Sequence, residues 1–198
     1  MEKRGYFNIF IIDNSSSYPP LLEYYEQCRY QVFRLTQNIG YLALWETDIY
    51  KKFINDYYVY TDSDVVPIEE CPDDFMGLFL RTLRKYKFAR KVGFSIKIDN
   101  LPECFSRKNE VIKWESKYFE NKVDEFLYRA PIDTTFALYR PRSKGKSNSY
   151  VQVFRTAFPY EASHLPWYVD SKNLSEEENY YISHANNKTM WTELAKIT

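Results

Sequence analysis

Glycine is scarce, with five in 198 residues, so a glycine-rich phosphate loop is not the main device of this chain. Cysteine is scarce too. Cys28, Cys71 and Cys104 are odd in number and widely spaced, which fits neither a zinc site nor a disulfide framework and points to a reducing, cytosolic setting. Neither sign of charge is in excess: 27 basic and 27 acidic residues cancel, leaving no positive surplus to hold a nucleic-acid backbone. Long apolar runs are missing. The longest, Ile9 to Ile12 with Tyr6 and Phe7 just before it, is far too short to span a bilayer, and no apolar run of signal-peptide length follows Met1.

Aromatic residues are abundant: 19 Tyr, 14 Phe and 4 Trp, or 19% of the chain. The hydrophobic share of 44% and the charged share of 27% are those of a globular protein, and 198 residues suit one domain. The short β-branched run 8–12 reads as a buried strand, and the polar turn 13–17 follows at once. Pro19-Pro20 opens a helix, Gln31 to Leu35 is a second strand, and Asn38-Ile39-Gly40 a turn. Tyr41 to Tyr50 reads as a helix and Asp56 to Tyr60 as a third strand. The spacing of Phe75, Leu78, Phe79 and Leu83 predicts a helix over 73–86, followed by a strand over 92–98. Strands alternating with helices predict an α/β fold with a mostly parallel sheet, in which ligands meet the carboxyl ends of the strands. After Pro102 the pattern weakens. Residues 110–126 read as helical, 132–140 and 151–154 as strands, and the rest as an aromatic-rich C-terminal lobe within a single domain, 1–198.

Two acidic turns, at Asp13 and at Asp62-Ser63-Asp64, fall at predicted strand ends. Two carboxylates two residues apart can both reach one hard cation, and Mg²⁺ or Mn²⁺ takes a few such oxygens together with substrate phosphates. The plain alternative is a solvated turn, since Asp and Ser favour turns.

Three ordered pieces, Asn8–Ser17, Val32–Gly40 and Tyr57–Val65, are together similar to the nucleotide-sugar glycosyltransferases of the GT-A fold, near the large family-2-like group. The resemblance covers roughly residues 6 to 100. It implies a Rossmann-like central sheet flanked by helices, with residues 1–100 as the nucleotide-sugar half and 101–198 as the acceptor side. Asp13, with Asn14 beside it and Asn38 in the second piece, would line the nucleotide. Asp62 would face ribose or metal, and Asp64 would hold Mn²⁺ or Mg²⁺ against the diphosphate. The donor implied is a UDP-sugar and the acceptor a saccharide or a lipid-linked sugar. The location implied is the cytoplasm, with peripheral contact at the inner face of the membrane. The family's opening strand and helix have no counterpart in the pattern, so an inactive nucleotide-sugar-binding remnant, or a plain interaction module, stands as the alternative.

An inverting transfer needs a general base. Asp133, which precedes an apolar strand, is the first candidate, and Asp99, at the end of one, the second. Either could equally be a turn aspartate. His164, in His-Leu-Pro-Trp-Tyr, resembles the C-terminal histidine that some enzymes of this fold add to the metal, whereas His184 reads as structural. Trp167, Tyr168 and Trp191 could stack on a sugar or simply pack. The basic loop Arg140–Lys146 could close over phosphates or meet anionic lipid headgroups.

Overall fold

The structure, a computed structural model, describes residues 1–132, 136–145 and 152–185. It opens with one βαβ unit: β1 (Phe10–Asp13), α1 (Pro19–Gln27) and β2 (Gln31–Arg34), with the two strands parallel. Pro19 and Pro20 occupy the first turn of α1, where their missing N–H groups cost nothing. Next come β3 (Tyr58–Tyr60), β4 (Val65–Pro67), α2 (Phe75–Lys85), β5 (Lys91–Gly93) and β6 (Ser95–Ile96). The remainder comprises α3 (Lys108–Ser116), β7 (Lys122–Asp124), β8 (Leu127–Tyr128), β9 (Ala137–Tyr139), β10 (Val153–Thr156), β11 (Glu161–His164) and α4 (Glu176–His184).

The strands form three sheets, not one parallel sheet. The largest runs β3-β9-β5-β10-β8-β7, the second is β4-β11-β6, and β1-β2 stands as a pair. Among the described residues five strand pairings are antiparallel and three parallel, which overturns the mostly parallel, Rossmann-like GT-A sheet expected from the sequence. The cause is β9. It enters antiparallel between β3 and β5, so strands of the two chain halves interleave. All three of its residues are buried, and such a run fits a central strand of either direction. The expected helix over 41–50 is also absent. Those residues form turns and a short 3₁₀ segment, Asp48–Lys52: the buried Ala43, Leu44, Trp45, Ile49 and Tyr50 interleave with the exposed Tyr41, Glu46 and Asp48, so no single buried stripe of helical spacing exists. The predicted helix over 110–126 ends at Ser116, and the chain then turns into the β7–β8 hairpin.

The aromatic excess builds two cores. One packs Phe75, Phe79 and Leu83 of α2 against Phe94, Phe136 and Phe154, with ring centroids 5.0–5.8 Å apart across the Phe75, Phe79, Phe94 and Phe136 contacts. The other holds Leu44, Trp45, Ile49, Tyr50, Tyr58 and Tyr139, with Ile12 and Phe33 of the βαβ unit packed on it. The polar tips of Trp45 and Tyr58 are satisfied: Trp45 Nε1 donates to the Tyr58 hydroxyl at 2.9 Å, and that hydroxyl donates to the Ser143 carbonyl at 2.6 Å. Burial pushes the Tyr58 phenol well above its usual range.

Gly93 lies where β5 touches β9. A side chain there would meet the Phe136 carbonyl oxygen and come 2.8 Å from Ala137 Cβ. Gly93→Ala should therefore destabilise the fold by about 1–3 kcal/mol, from overpacking against backbone that cannot retreat. A shift of the urea midpoint checks this, and an unchanged midpoint would mean that the two strands can separate freely.

Candidate functional site

The β4–β11 ribbon brings two of the sequence-predicted metal residues together. Val65 pairs with His164, and the Leu165 N–H donates to the Asp64 carbonyl at 2.9 Å, which holds the two strand ends side by side. His164 Nε2 then lies 3.5 Å from Asp64 Oδ2. Trp167 packs edge-on to the imidazole, with centroids 4.9 Å apart, and fixes the ring's tilt. Asp64 Oδ1 is buried and has no hydrogen-bond partner among the described residues. A carboxylate oxygen so placed is costly to leave unfilled. An imidazole and a carboxylate at this separation form a mixed N/O donor pair suited to Mn²⁺, with Mg²⁺ the harder alternative. Among the described residues, no three His, Cys, Asp or Glu side chains converge into a metal-holding group, so Asp62 does not join the pair as a third protein ligand.

Asp62 instead lies beside Tyr60. Burial, with the negative charge of Asp62 added, lifts that phenol to about 12. The Tyr60 hydroxyl donates to the Tyr41 carbonyl at 3.2 Å. The 38–41 turn is tied on its other side to the β1 turn. Asn14 Oδ1 accepts from the Ile39 N–H at 2.8 Å, Asn14 Nδ2 donates to the Gly40 carbonyl at 3.0 Å, and Asn38 Oδ1 accepts from the Gly40 N–H at 2.8 Å. Gly40 has φ 80°, a left-handed turn conformation for which glycine is the natural residue. The expected nucleotide residues Asn14 and Asn38 thus sit in one turn system that reaches the end of β3 and Asp62.

Asp13 is placed in that system but faces inward. Its side chain is fully buried; Oδ1 accepts from the Ser16 N–H at 3.0 Å and Oδ2 from Arg34 Nε at 3.3 Å. The group that solvent meets is the half-exposed Arg34 guanidinium. Asp99 is exposed and pairs with Lys97 at 2.9 Å. Its neighbour Asn100 accepts from the Tyr168 hydroxyl at 2.7 Å. Asp133 and Trp191 lie outside the described residues, as does Lys146 at the end of the basic loop. Within that loop Arg140 is turned inward. Nε donates to the Ala89 carbonyl at 2.8 Å and the guanidinium also reaches the Leu83 carbonyl, so Arg140 cannot close over a phosphate. Trp167 is buried against His164, which makes it a packing residue and not a sugar platform.

Sequence reasoning missed Glu161. It opens β11, is only 7% exposed, and faces Lys97, Asp99 and Glu70. Burial, with Asp99 and Glu70 adding negative charge against the relief from Lys97, lifts its carboxyl to about 7. No signal in Pro-Tyr-Glu-Ala-Ser-His separates such a residue from a solvated strand-edge glutamate. Because the folded-state value is raised, the protonated form is favoured on folding. That stabilisation is complete below the unfolded value near 4.5 and is lost as pH rises through about 7. Glu161→Gln should therefore flatten the fall in stability between pH 5 and 8, with a gain over wild type on the order of 1–2 kcal/mol at the alkaline end after solvent screening. Urea unfolding at both pH values checks it, and parallel pH profiles for the two proteins would contradict it.

No family model, no curated protein and no solved structure matches this chain. No helix among the described residues is long and apolar enough to cross a membrane, and Cys28, Cys71 and Cys104 are free.

Proposed function

We propose that this chain is a metal-dependent glycosyltransferase that moves a sugar from a nucleoside-diphosphate sugar, a UDP-sugar in preference, to a polysaccharide or glycolipid acceptor. The observation that carries the reading is the Asp64–His164 pair: two residues a hundred positions apart, each singled out for cation binding, held 3.5 Å from one another beside a buried and unmatched carboxylate oxygen. A divalent cation, when bound there, would supply Lewis-acid stabilisation of the charge that develops on the leaving diphosphate. Asp64 and His164 would hold that cation. Asn14, Asn38 and the exposed Arg34 would line the nucleoside, and Asp62, beside Tyr60 at the end of β3, would face the ribose or the metal. The reading rests on this cluster and on the three ordered sequence pieces, and it needs no parallel sheet.

One observation favours a second reading, a nucleotide-sugar-binding protein without transferase activity: the described residues offer no third protein ligand to the cation. Release of UDP from a panel of UDP-sugars in the presence of Mn²⁺, with and without short saccharide acceptors, separates the two. Acceptor-stimulated release supports the transferase. Donor binding with no release supports the binding protein, and neither binding nor release with any donor would remove both.

A further inference from the structure

The charge balance that holds for the whole chain fails locally. Residues 75–98 contain seven Lys and Arg and not one Asp or Glu. Four of the seven are committed: Arg81 to Asp74, Lys85 to Asp124, Lys97 to Asp99, and the buried Lys91 to the Ile132 carbonyl. Arg84, Lys87 and Arg90 are left. All three are exposed, and among the described residues no acid pairs with them.

The fold gathers further cations beside these. α2 ends at Lys85, and the turn after it keeps Lys87, Phe88 and Arg90 at the surface while Ala89 is buried. Arg140 fixes that turn from within, donating to the Ala89 carbonyl at 2.8 Å and to the Tyr86 carbonyl at 3.4 Å. The Arg140 N–H donates to the Arg90 carbonyl at 2.9 Å, and the exposed Arg142, also without an acid partner among the described residues, follows two positions on. Arg129, just past β8, brings its guanidinium carbon to 5.9 Å from the Phe88 ring centroid and 5.7 Å from that of Phe154. Its Nε is buried with no hydrogen-bond acceptor among the described residues. The acids of the β7–β8 hairpin do not cancel this charge. Residues 84–90 and 120–129 hold six Lys and Arg against Glu120, Asp124 and Glu125, and Asp124 is taken by Lys85. Rings interleave with the cations: Tyr86 stacks on the buried Phe154 at 4.6 Å, and Phe88, 5.9 Å from Tyr86, is 45% exposed.

We propose that this face binds single-stranded nucleic acid. Phosphates of the strand meet Lys87, Arg90, Arg129 and Arg142, and a base stacks on the exposed Phe88 ring. A duplex keeps its base faces inside its own stack, and an acidic polysaccharide has no planar π face, so neither uses the ring set among the cations. The inference is independent of the transfer reaction and uses none of the residues assigned to it.

The test is fluorescence anisotropy of a labelled oligothymidylate of about 12 nucleotides, titrated with the full chain at low and then rising salt. Wild type should bind, and log affinity should fall against log salt with a slope of about −3, as four phosphate contacts on a single strand require. Lys87→Ala with Arg90→Ala should halve that slope and weaken binding roughly 25-fold at about 0.1 M salt. Phe88→Ala should weaken binding about fivefold or more and leave the slope unchanged. Lys3→Ala with Lys172→Ala removes the same charge from exposed positions elsewhere and should bind as wild type does. Circular dichroism establishes that each variant is folded. No wild-type binding of the strand at low salt, whether or not heparin binds, would overturn the proposal. So would equal affinity for a duplex of the same length, or binding indifferent to the Lys87 and Arg90 double substitution.

Discussion

Replacing Asp64 with Ala should abolish cation-linked binding of a nucleoside diphosphate while leaving the fold in place. Asp64 contributes a carboxylate that approaches His164 at 3.5 Å and has a second oxygen buried without a partner. Loss of a group that merely orients a metal ligand costs about 10–100-fold in metal affinity, so loss of a direct ligand should cost at least about 100-fold. The Asp64 side chain is over a third exposed, and its main-chain bond to Leu165 does not depend on the side chain, so stability should change little. Calorimetric titration of UDP into the Mn²⁺-loaded protein reads the effect. Asp64→Asn should fall between Ala and wild type, because an amide oxygen still coordinates without supplying charge. Equal UDP affinity in wild type and in Asp64→Ala would separate Asp64 from the cation.

Removing Glu115 should be the most destabilising of the charge substitutions. Glu115 Oε2 accepts from Arg155 Nη1 at 2.6 Å, with both side chains more than nine-tenths buried. Arg155 is further held by the Pro131 carbonyl, 2.6 Å from Nε, and by the Tyr118 ring, 4.1 Å below the guanidinium. Glu115→Ala strands a buried cation, which costs about 3–5 kcal/mol. In a chain of this length that lowers Tm by roughly 10 °C. The double variant Glu115→Leu with Arg155→Met exchanges the pair for apolar volume and should recover most of the loss. Thermal and urea unfolding of the three variants measure it. A loss below about 1 kcal/mol for Glu115→Ala would mean that water reaches the guanidinium and the pair behaves as a surface one.

The elements that were legible in the sequence are those whose signal is local. The run at 10–13 with its polar turn, the double proline opening α1, and the period of Phe75, Phe79 and Leu83 in α2 each specify their own conformation. What escaped depends on partners far along the chain. Strand direction is invisible in a three-residue run such as Ala137–Tyr139, so the antiparallel insertion of β9 between β3 and β5 could not be read. Residues 41–50 carry good helix formers, but the burial of Trp45, Ile49 and Tyr50 overrides propensity. The same limit governs the site. Asp62 and Asp64 stand out by spacing, and His164 entered through resemblance alone, yet the ribbon pairing puts His164 against Asp64 while Asp62 turns towards Tyr60. Asp13 was legible as a turn aspartate, and its full burial under Arg34 could not be foreseen. Glu161 was legible to no rule of spacing, because its character comes from Lys97, Asp99 and Glu70 on other segments.

The central claim is that Asp64 and His164 together hold a divalent cation against a nucleoside diphosphate. Pulsed electron paramagnetic resonance of Mn²⁺ bound to the protein with UDP tests it at the ligand atoms. The account predicts a nitrogen coupling from one imidazole that is lost in His164→Gln, together with phosphorus couplings from the diphosphate. A manganese signal surrounded by oxygen alone, or one unchanged by His164→Gln, would contradict it.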